Sequence, residues 1–321
     1  MKGLEQARHY FEGCGEPVLA RLFPECWDRV AVGLAGEGSE CFGYDDAIST
    51  DHDFGAGFCL WLIGEDAAAY GQAMADAYAS LPERFDGLVK RPYTPTGGQR
   101  VGVCCIDTFF TRLTGCAGVP ASPRNWLMIE DYQLAAATNG EVFRDPLGRF
   151  TRIREELKAG YPEDVRMKKL AYQVHLMSQA GQYNYARCMM RGDEVTAAIC
   201  LTEFAKGAMQ AAYLMNKRYA PYYKWMHRGL AELKELAELG PMLTALFKAP
   251  DQRGHWQGTD PERWKYQINT EDDCVRMIEQ VCVKFRHAFE EMGISYVDSD
   301  FLDHHYTQIL ANIGDDAIRN L

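Results

Sequence analysis

Three aspartates have the type and spacing that metal-dependent phosphate chemistry requires. Asp51 and Asp53 stand two residues apart where an apolar run begins, and Asp107 ends a later apolar run. In a β-strand, residues i and i+2 point to the same face, about 6.5–7 Å apart. Two carboxylates placed in this way can bind one divalent cation, and a third from a neighbouring strand would complete a site for two magnesium ions. The pattern therefore predicts phosphoryl or nucleotidyl transfer.

A glycine-rich stretch precedes these aspartates at a fixed distance. Gly38 and Ser39 close it, and 11 residues separate Ser39 from Asp51. Glycine allows backbone N–H groups to approach a phosphate closely, and the serine adds a hydroxyl. An Asp-x-Asp pair alone is weak evidence, because Asp298 and Asp300 form another one without such a turn. That second pair is typical of a helix cap. A solvated loop is the alternative interpretation of the first pair.

The same glycines raise a second possibility, a dinucleotide-binding fold. Gly33, Gly36 and Gly38 follow a predicted strand, but their order is G-x-x-G-x-G. The dinucleotide fingerprint is G-x-G-x-x-G and opens an amphipathic helix. The segment that follows here has the composition of a turn, so the sequence disfavours this fold.

Strands and helices must hold these candidate residues in place. The sequence of the first half of the chain predicts that they form a small α/β unit. Apolar periodicity and turn residues give the order α-β-β-α-β. The predicted segments are a helix within the first twenty-odd residues, strands at 29–34 and 51–62, a helix at 65–81 and a strand at 101–107.

The second half is helical in pattern after a hairpin predicted at 142–151. Asp193 is positioned to cap a long helix running to about Arg218, and Pro221 to start another towards Leu239. The long helix would bury an apolar stripe made of Val195, Ala198, Ile199, Thr202, Ala205, Met209 and Ala212. The sequence therefore predicts an α+β fold, with a small mixed-sheet domain at 1–150 and an all-α helical bundle at 151–321.

Four residues of the helical half are candidates for the same chemistry. Asp193 and Glu194 could act as a general base, although the sequence favours an N-cap and a helix-dipole partner. Lys217 and Lys224 flank an aromatic group and could bind a triphosphate or a base. Packing of their aliphatic stems over a helix seam is the alternative.

Composition limits the function classes. The formal net charge is −11, and residues 1–150 contribute 12 basic against 21 acidic side chains. A non-specific nucleic-acid binder needs the opposite charge, so no nucleic-acid partner is expected. The 11 cysteines show no CxxC pair, which indicates neither a zinc site nor a disulfide framework. No signal peptide or membrane-length apolar run is apparent, so we expect a cytoplasmic protein without a membrane partner.

The order Gly38-Ser39, Asp51-x-Asp53 and Asp107 resembles the signature of the polymerase-beta-like nucleotidyltransferase superfamily. The stretch from Gly43 to Asp53 is similar to an uncharacterised bacterial family, a domain of unknown function whose first half is nucleotidyltransferase-like. The similarity continues through 142–145, 191–194 and 219–225.

The resemblance implies a Mg²⁺-dependent transfer of a nucleoside monophosphate from an NTP, with ATP as the expected co-substrate, to a hydroxyl of a small-molecule acceptor. It implies that Ser39 contacts the triphosphate, that Asp51 and Asp53 bind two magnesium ions, and that Asp107 binds one and assists deprotonation of the acceptor. The helical half would close the acceptor pocket, as in aminoglycoside nucleotidyltransferases. A catalytically silent nucleotide-binding module and a protein AMP-transferase remain the alternatives.

Overall fold

We describe the chain from a computed structural model, which covers residues 1–50, 53–92, 100–258, 260, 262 and 268–321. Two compact units divide it, unit 1 at Met1–Gly160 and unit 2 at Tyr161–Leu321. Unit 1 holds every strand of the described residues, and unit 2 is helical there, so the predicted α+β fold class is confirmed. No helix in these ranges is both long and apolar enough to cross a membrane.

Unit 1 contains six strands and seven α-helices among its described residues. The strands are β1 (Ala31–Leu34), β2 (Cys59–Leu62), β3 (Arg84–Phe85), β4 (Leu88–Val89), β5 (Gly102–Cys105) and β6 (Glu141–Arg144). The helices are α1 (Gly3–Tyr10), α2 (Glu16–Leu22), α3 (Gly64–Ala79), α4 (Ile106–Thr114), α5 (Pro123–Met128), α6 (Asp131–Thr138) and α7 (Arg149–Lys158). A π-helical turn, Phe11–Gly15, joins α1 to α2, so the glycines near residue 15 do not break the helix.

The main sheet has the order β5-β2-β1-β6 and is mixed. β1 runs antiparallel to β2 and to β6, whereas β2 and β5 are parallel. A doubly wound dinucleotide fold requires parallel strands around the glycine-rich turn, so this topology rules it out. Gly33 has a packing role instead, because a Cβ at this position would overlap the carbonyl oxygen of Glu141 on β6.

Apolar side chains cover both faces of this sheet. On one face Phe11 and Phe58 pack edge to face, with ring centroids 5.1 Å apart. On the other, Trp61 of β2 stacks on Phe150 of α7 at 3.8 Å. The predicted hairpin at 142–151 is wrong, because only β6 is extended. The chain turns at Gly148, whose φ is +65°, and continues as α7.

Unit 2 is built from eight α-helices among its described residues. They are α8 (Glu163–Met177), α9 (Ala186–Met190), α10 (Glu194–Met215), α11 (Tyr223–Gly229), α12 (Leu239–Lys248), α13 (Asp273–Glu291), α14 (Asp303–Ala311) and α15 (Asp316–Arg319). Helix α8 packs against α10 and α14. The helix predicted from Pro221 to Leu239 is wrong in length, since α11 ends at Gly229 and a 3₁₀ turn follows it.

The buried face of α10 differs from the predicted stripe. Val195 and Ile199 are 74% and 55% exposed, whereas Ala197, Cys200 and Phe204 are buried. The buried positions still recur at helical spacing, but they are rotated around the helix relative to the prediction. Apolar residues on a helix of this composition occur on several faces, and only the packing selects one.

Candidate functional site

The predicted phosphate turn lies at one edge of the main sheet, which we call the Ser39 edge. It is the edge where β1 ends at Leu34 and where β2 and β5 begin. The register fixes this, because Gly33 pairs with Cys59 and Cys59 pairs with Gly102. Residues that leave β1, and residues that enter β2 and β5, therefore meet there.

The turn itself is held open by glycines and by one asparagine. Gly36 and Gly38 have φ values of +117° and +151°, which side chains rarely adopt. The Gly36 N–H donates to Asn139 Oδ1 at 2.9 Å, and Asn139 Nδ2 donates back to the Gly36 carbonyl at 2.8 Å. Among the described residues, no group forms a hydrogen bond with the Ser39 hydroxyl. The Ser39 hydroxyl is therefore available to bind a ligand.

A buried ion pair lies directly beneath the turn. Glu40 and Arg91 are 4% and 9% exposed, and Arg91 Nη2 contacts Glu40 Oε1. A Cβ on Gly38 would stand 2.7 Å from both carboxylate oxygens of Glu40. Burial disfavours the charge of Arg91, but the charge of Glu40 and its hydrogen bond outweigh this and raise the Arg91 pKa. Arg91 therefore stays charged, and the turn rests on the carboxylate of Glu40.

Arg91 also holds the loop that carries Asp53. The Arg91 N–H donates to the Ala56 carbonyl at 2.8 Å, and the Ala56 N–H donates to Val89 at 2.8 Å. Gly55 has φ +145°, and a Cβ there would stand 2.8 Å from Arg91 Cα. One residue thus connects the Gly38-Ser39 turn, through its side chain, with the aspartate loop, through its backbone.

Asp53 lies near the Ser39 edge but not in a strand. Its φ is +50°, and β2 begins only at Cys59. Within the predicted strand at 51–62, residues 53–58 are therefore not part of β2, and Ala56 forms an isolated bridge with Lys90 instead. The Asp53 side chain is 11% exposed, and its Oδ2 lies 3.9 Å from Arg100 Nη2. Asp51 and the neighbouring His52 lie outside the described residues.

Asp107 lies at the opposite edge of the sheet. β5 ends at Cys105, and Asp107 occupies the first turn of α4 rather than the end of the strand. Since β5 starts at the Ser39 edge and rises about 3.3 Å per residue, Asp107 is more than about 10 Å beyond it. Its Oδ1 accepts a hydrogen bond from Arg149 Nη2 at 2.6 Å. The expectation that Asp107 joins Asp53 in one metal cluster is wrong in this structure.

Asp53 and Asp107, the two members of the predicted site that the structure describes, therefore do not come together to hold two magnesium ions. Among the described residues, no three His, Cys, Asp or Glu side chains are grouped to hold a metal ion. The β5 residue level with Cys59 is Gly102, which has no side chain to coordinate an ion. Asp51 and Asp53 remain as a candidate pair of ligands.

Sequence reasoning missed two arginines at the Ser39 edge. Arg100 lies two residues before β5, and Arg112, in the last turn of α4, places its Nη1 2.9 Å from Glu37 Oε2. Burial raises the pKa of the Cys59 thiol to about 12, and Arg91 and Arg112 act against this shift. The guanidinium groups of Arg91 and Arg112 therefore both act on the buried thiol of Cys59. Only the parallel pairing of β2 with β5, which no sequence motif announces, brings Arg100 next to Asp53.

The candidates in unit 2 lie at opposite ends of one helix. Asp193 and Glu194 start α10, and Lys217 follows its last residue. A helix of 22 residues is about 33 Å long. One nucleotide cannot contact both ends, so the four residues do not form a single site.

The N-terminal pair of α10 has structural partners. Asp193 is the N-cap, and its carboxylate accepts hydrogen bonds from Thr196 N and Thr196 Oγ1 at 3.1 and 2.7 Å. These bonds lower the Asp193 pKa, which makes it a weaker base. Glu194 lies 3.3 Å from Arg253 Nη1. The predicted helix cap is confirmed, and a role in catalysis for either residue stays a prediction.

The two lysines lie near the C-terminal end of α10. Lys217 has φ +53° and ends the helix, since the next N–H, that of Arg218, donates to Tyr213 O at 3.0 Å. Lys224 Nζ lies 5.2 Å from the ring centroid of Trp225, a cation–π distance. Both lysines are exposed. Binding of a nucleotide by either one stays a prediction.

An open groove of about 580 Å³ lies between α11 and α12. Alanine, glycine and proline form much of its lining, and His227, Arg228 and Lys248 add basic groups. Within the part of the chain that the structure describes, no acidic side chain lines it. The groove therefore lacks the carboxylates that a polycationic acceptor such as an aminoglycoside would need.

His305 of α14 is a buried structural histidine. Its Nε2–H donates to the Ser299 carbonyl at 2.7 Å, and Nδ1 lies 2.8 Å from Ser295 Oγ. Burial lowers its pKa from 6.5, so the unfolded chain takes up the proton first as pH falls. The free energy of unfolding should therefore decrease below pH 6.5, with a slope of up to about 1.4 kcal/mol per pH unit from this group.

Urea unfolding between pH 7.5 and 5 tests this prediction. His305→Gln should flatten the slope, whereas His304→Gln, on the exposed neighbour, should leave it unchanged. Equal slopes in all three proteins would contradict the assignment.

Comparisons with known proteins match the chain to a sequence family and to a solved structure. The sequence model of a family described as Domain of unknown function (DUF4037) matches residues 126–226, about a third of the chain. No curated protein matches the sequence. The crystal structure of a nucleotidyltransferase-like protein from Exiguobacterium sibiricum is similar over 95% of this chain and 91% of its own, with 11% identity and a TM-score of 0.35. A score this low carries no argument about function. The chain is thus similar, in its central third, to a family whose function is undefined.

Proposed function

We propose that the chain is a nucleotidyltransferase that binds an NTP with Mg²⁺ at the Ser39 edge and transfers a nucleoside monophosphate to a hydroxyl of a small-molecule acceptor. One observation carries the proposal. The Gly38-Ser39 turn and the loop of Asp53 lie at the same edge of the sheet, tied together by Arg91. Phosphate-binding and metal-binding groups must be adjacent for this reaction.

The residues of this edge have distinct tasks in the proposal. The backbone of the turn and the Ser39 hydroxyl bind phosphate oxygens. The ion pair of Glu40 and Arg91 fixes the position of the turn. Asp51 and Asp53 hold the magnesium ion, which would neutralise phosphate charge when bound. Asp107 has no part in binding, because it is paired with Arg149 at the other edge.

A second function, nucleotide binding without transfer, has a specific observation in its favour. The β5 position at the Ser39 edge is a glycine, and Asp107 lies elsewhere. A third carboxylate is the group that the resemblance assigns to deprotonation of the acceptor. Without one, the chain would bind Mg-NTP and regulate a partner instead.

Two measurements on the purified protein separate these functions. Calorimetric titration with Mg-ATP tests binding, and release of pyrophosphate in the presence of a small-molecule cell extract tests transfer. Transfer predicts both signals, and both should disappear in an Asp51→Asn, Asp53→Asn double variant that stays folded. Binding without pyrophosphate release would favour the silent module, and the absence of binding would overturn the proposal.

The identity of the acceptor can be read from the same reaction. With α-³²P-labelled ATP, transfer to a small molecule gives a labelled species that passes a size filter, whereas transfer to protein gives retained label. The first result supports a small-molecule acceptor. The second would assign the chain to protein AMP-transfer.

A further inference from the structure

We propose that Arg100 and Arg112 bind the phosphate oxygens of the nucleotide, a role that the sequence suggested for Lys217 and Lys224. This inference rests on the proposed function and names the phosphate-binding groups of that site. It starts from the position of both arginines at the Ser39 edge, one entering β5 and one on the last turn of α4.

The distances place one guanidinium group beside the glycine turn and the other beside the aspartate loop. Arg112 Nη2 would lie 3.9 Å from a Cβ on Gly36, and Arg112 Nη1 contacts Glu37 in the same turn. Arg100 Nη2 lies 3.9 Å from Asp53 Oδ2, and the Arg100 Nε is buried without a hydrogen-bond partner. A phosphate chain lying between Ser39 and Asp53 would pass both groups.

The charges of the arginines also act on two buried thiols, Cys41 and Cys59. Burial raises the Cys41 pKa well above its usual value, and the charges of Arg91 and Arg100 oppose that shift. Arg91 and Arg112 have the same effect on Cys59. Each of the three arginines thus acts on at least one of these thiols, in a half of the chain with a charge of −9.

Arg100 and Arg112 can exchange their acidic partners for phosphate with only a small loss of free energy. The Arg112 and Glu37 side chains are 44% and 52% exposed, and exposed pairs contribute only about 0–1 kcal/mol. The Arg100–Asp53 contact is at the long limit of an ion pair. When a cation binds Asp53, Arg100 loses this partner and can turn to a phosphate oxygen. Arginine suits this task, because its planar fork binds two oxygens at once.

Arg91 differs from the other two arginines. It is buried, and its contact with Glu40 fixes it below the turn. We therefore assign Arg91 a positioning role and reserve phosphate contact for Arg100 and Arg112.

A matched control exists at the opposite edge. Arg149 pairs with Asp107 at 2.6 Å, and their side chains are 39% and 43% exposed, close to the values for Arg112 and Glu37. Arg149→Gln removes a comparable exposed pair from the same unit without touching the Ser39 edge. A general effect of lost charge or stability would appear in this variant too.

The experiment titrates wild-type protein and the Arg100→Gln, Arg112→Gln and Arg149→Gln variants with Mg-ATP and with Mg-tripolyphosphate. A lost charge-assisted contact should weaken both ligands by about 10- to 100-fold in the first two variants, and the third should match the wild type. Losses confined to ATP would contradict phosphate contact, as would equal affinities in all four proteins. If wild-type protein binds neither ligand, the proposed function fails; if it binds and no variant differs, only this inference fails.

Discussion

Replacing Arg91 by methionine is expected to lower the free energy of unfolding by about 3–5 kcal/mol. The change leaves the Glu40 carboxylate buried and without Arg91, and removal of one member of a buried ion pair has this effect. Urea unfolding followed by circular dichroism measures the loss. A change below about 1 kcal/mol would mean that the pair is as weak as an exposed one.

The double variant Glu40→Met, Arg91→Met separates the effect of the ion pair on protein stability from its effect on the position of the Gly38-Ser39 turn. Two apolar side chains of similar length remove both charges, and such replacements are often neutral or stabilising. We expect stability to return towards the wild-type value while affinity for Mg-ATP stays low, because nothing then holds Gly38-Ser39 against the Asp53 loop. Arg91 Nε and Nη1 are buried without hydrogen-bond partners, so this pair is not arranged for maximal stability. Wild-type affinity in the double variant would contradict the positioning role.

The second large effect is expected in unit 2, from Asp272→Ala. Asp272 is fully buried and caps α13, where its Oδ1 accepts from Val275 N at 3.0 Å. Its Oδ2 accepts from Trp256 Nε1 at 2.7 Å and from the Tyr185 hydroxyl at 3.0 Å. Alanine removes the cap and takes away the carboxylate that accepts from two buried donors, at about 1–3 kcal/mol each. We expect a total loss of about 3–5 kcal/mol, measured by urea unfolding.

Asp193→Ala is the control for this prediction. Asp193 also caps a long helix, through Thr196, but it is exposed and no buried donor depends on it. It should cost about 0.5–2 kcal/mol, the ordinary value of a helix cap. Equal losses in the two variants would show that the Tyr185 and Trp256 contacts contribute nothing beyond capping.

The sequence predicted best what depends on local chemistry. Asp193 caps α10 as expected, because an N-cap needs only the residues of one helical turn. The strands at 29–34 and 101–107 and the helix at 65–81 also lie where apolar runs predicted them, within a few residues. The buried face of α10 was predicted wrongly, since Val195 and Ile199 are apolar but exposed. Which apolar residues of a helix are buried depends on the elements that pack against it, and the sequence of the helix alone does not specify those elements.

The candidate site shows the same difference between features that local sequence determines and features that tertiary structure determines. The Gly38-Ser39 turn follows β1 directly, so its place could be predicted. Asp107 was misplaced because the sequence does not reveal that β5 runs parallel to β2. That direction puts the start of β5, with Arg100, at the Ser39 edge and its end, with Asp107, at the other. Arg112 was missed for a related reason, since only the return of α4 along the sheet brings it to Glu37.

The central claim is that the Ser39 edge, and not the edge of Asp107, binds the magnesium nucleotide. Calorimetric titration with Mg-ATP tests it most directly, in wild-type protein, in the Asp51→Asn, Asp53→Asn double variant and in Asp107→Asn. We predict that the double variant loses magnesium-dependent binding, while Asp107→Asn keeps the wild-type affinity to within about twofold, as expected for loss of an exposed ion pair. Loss of binding in Asp107→Asn, with wild-type affinity in the double variant, would contradict the account.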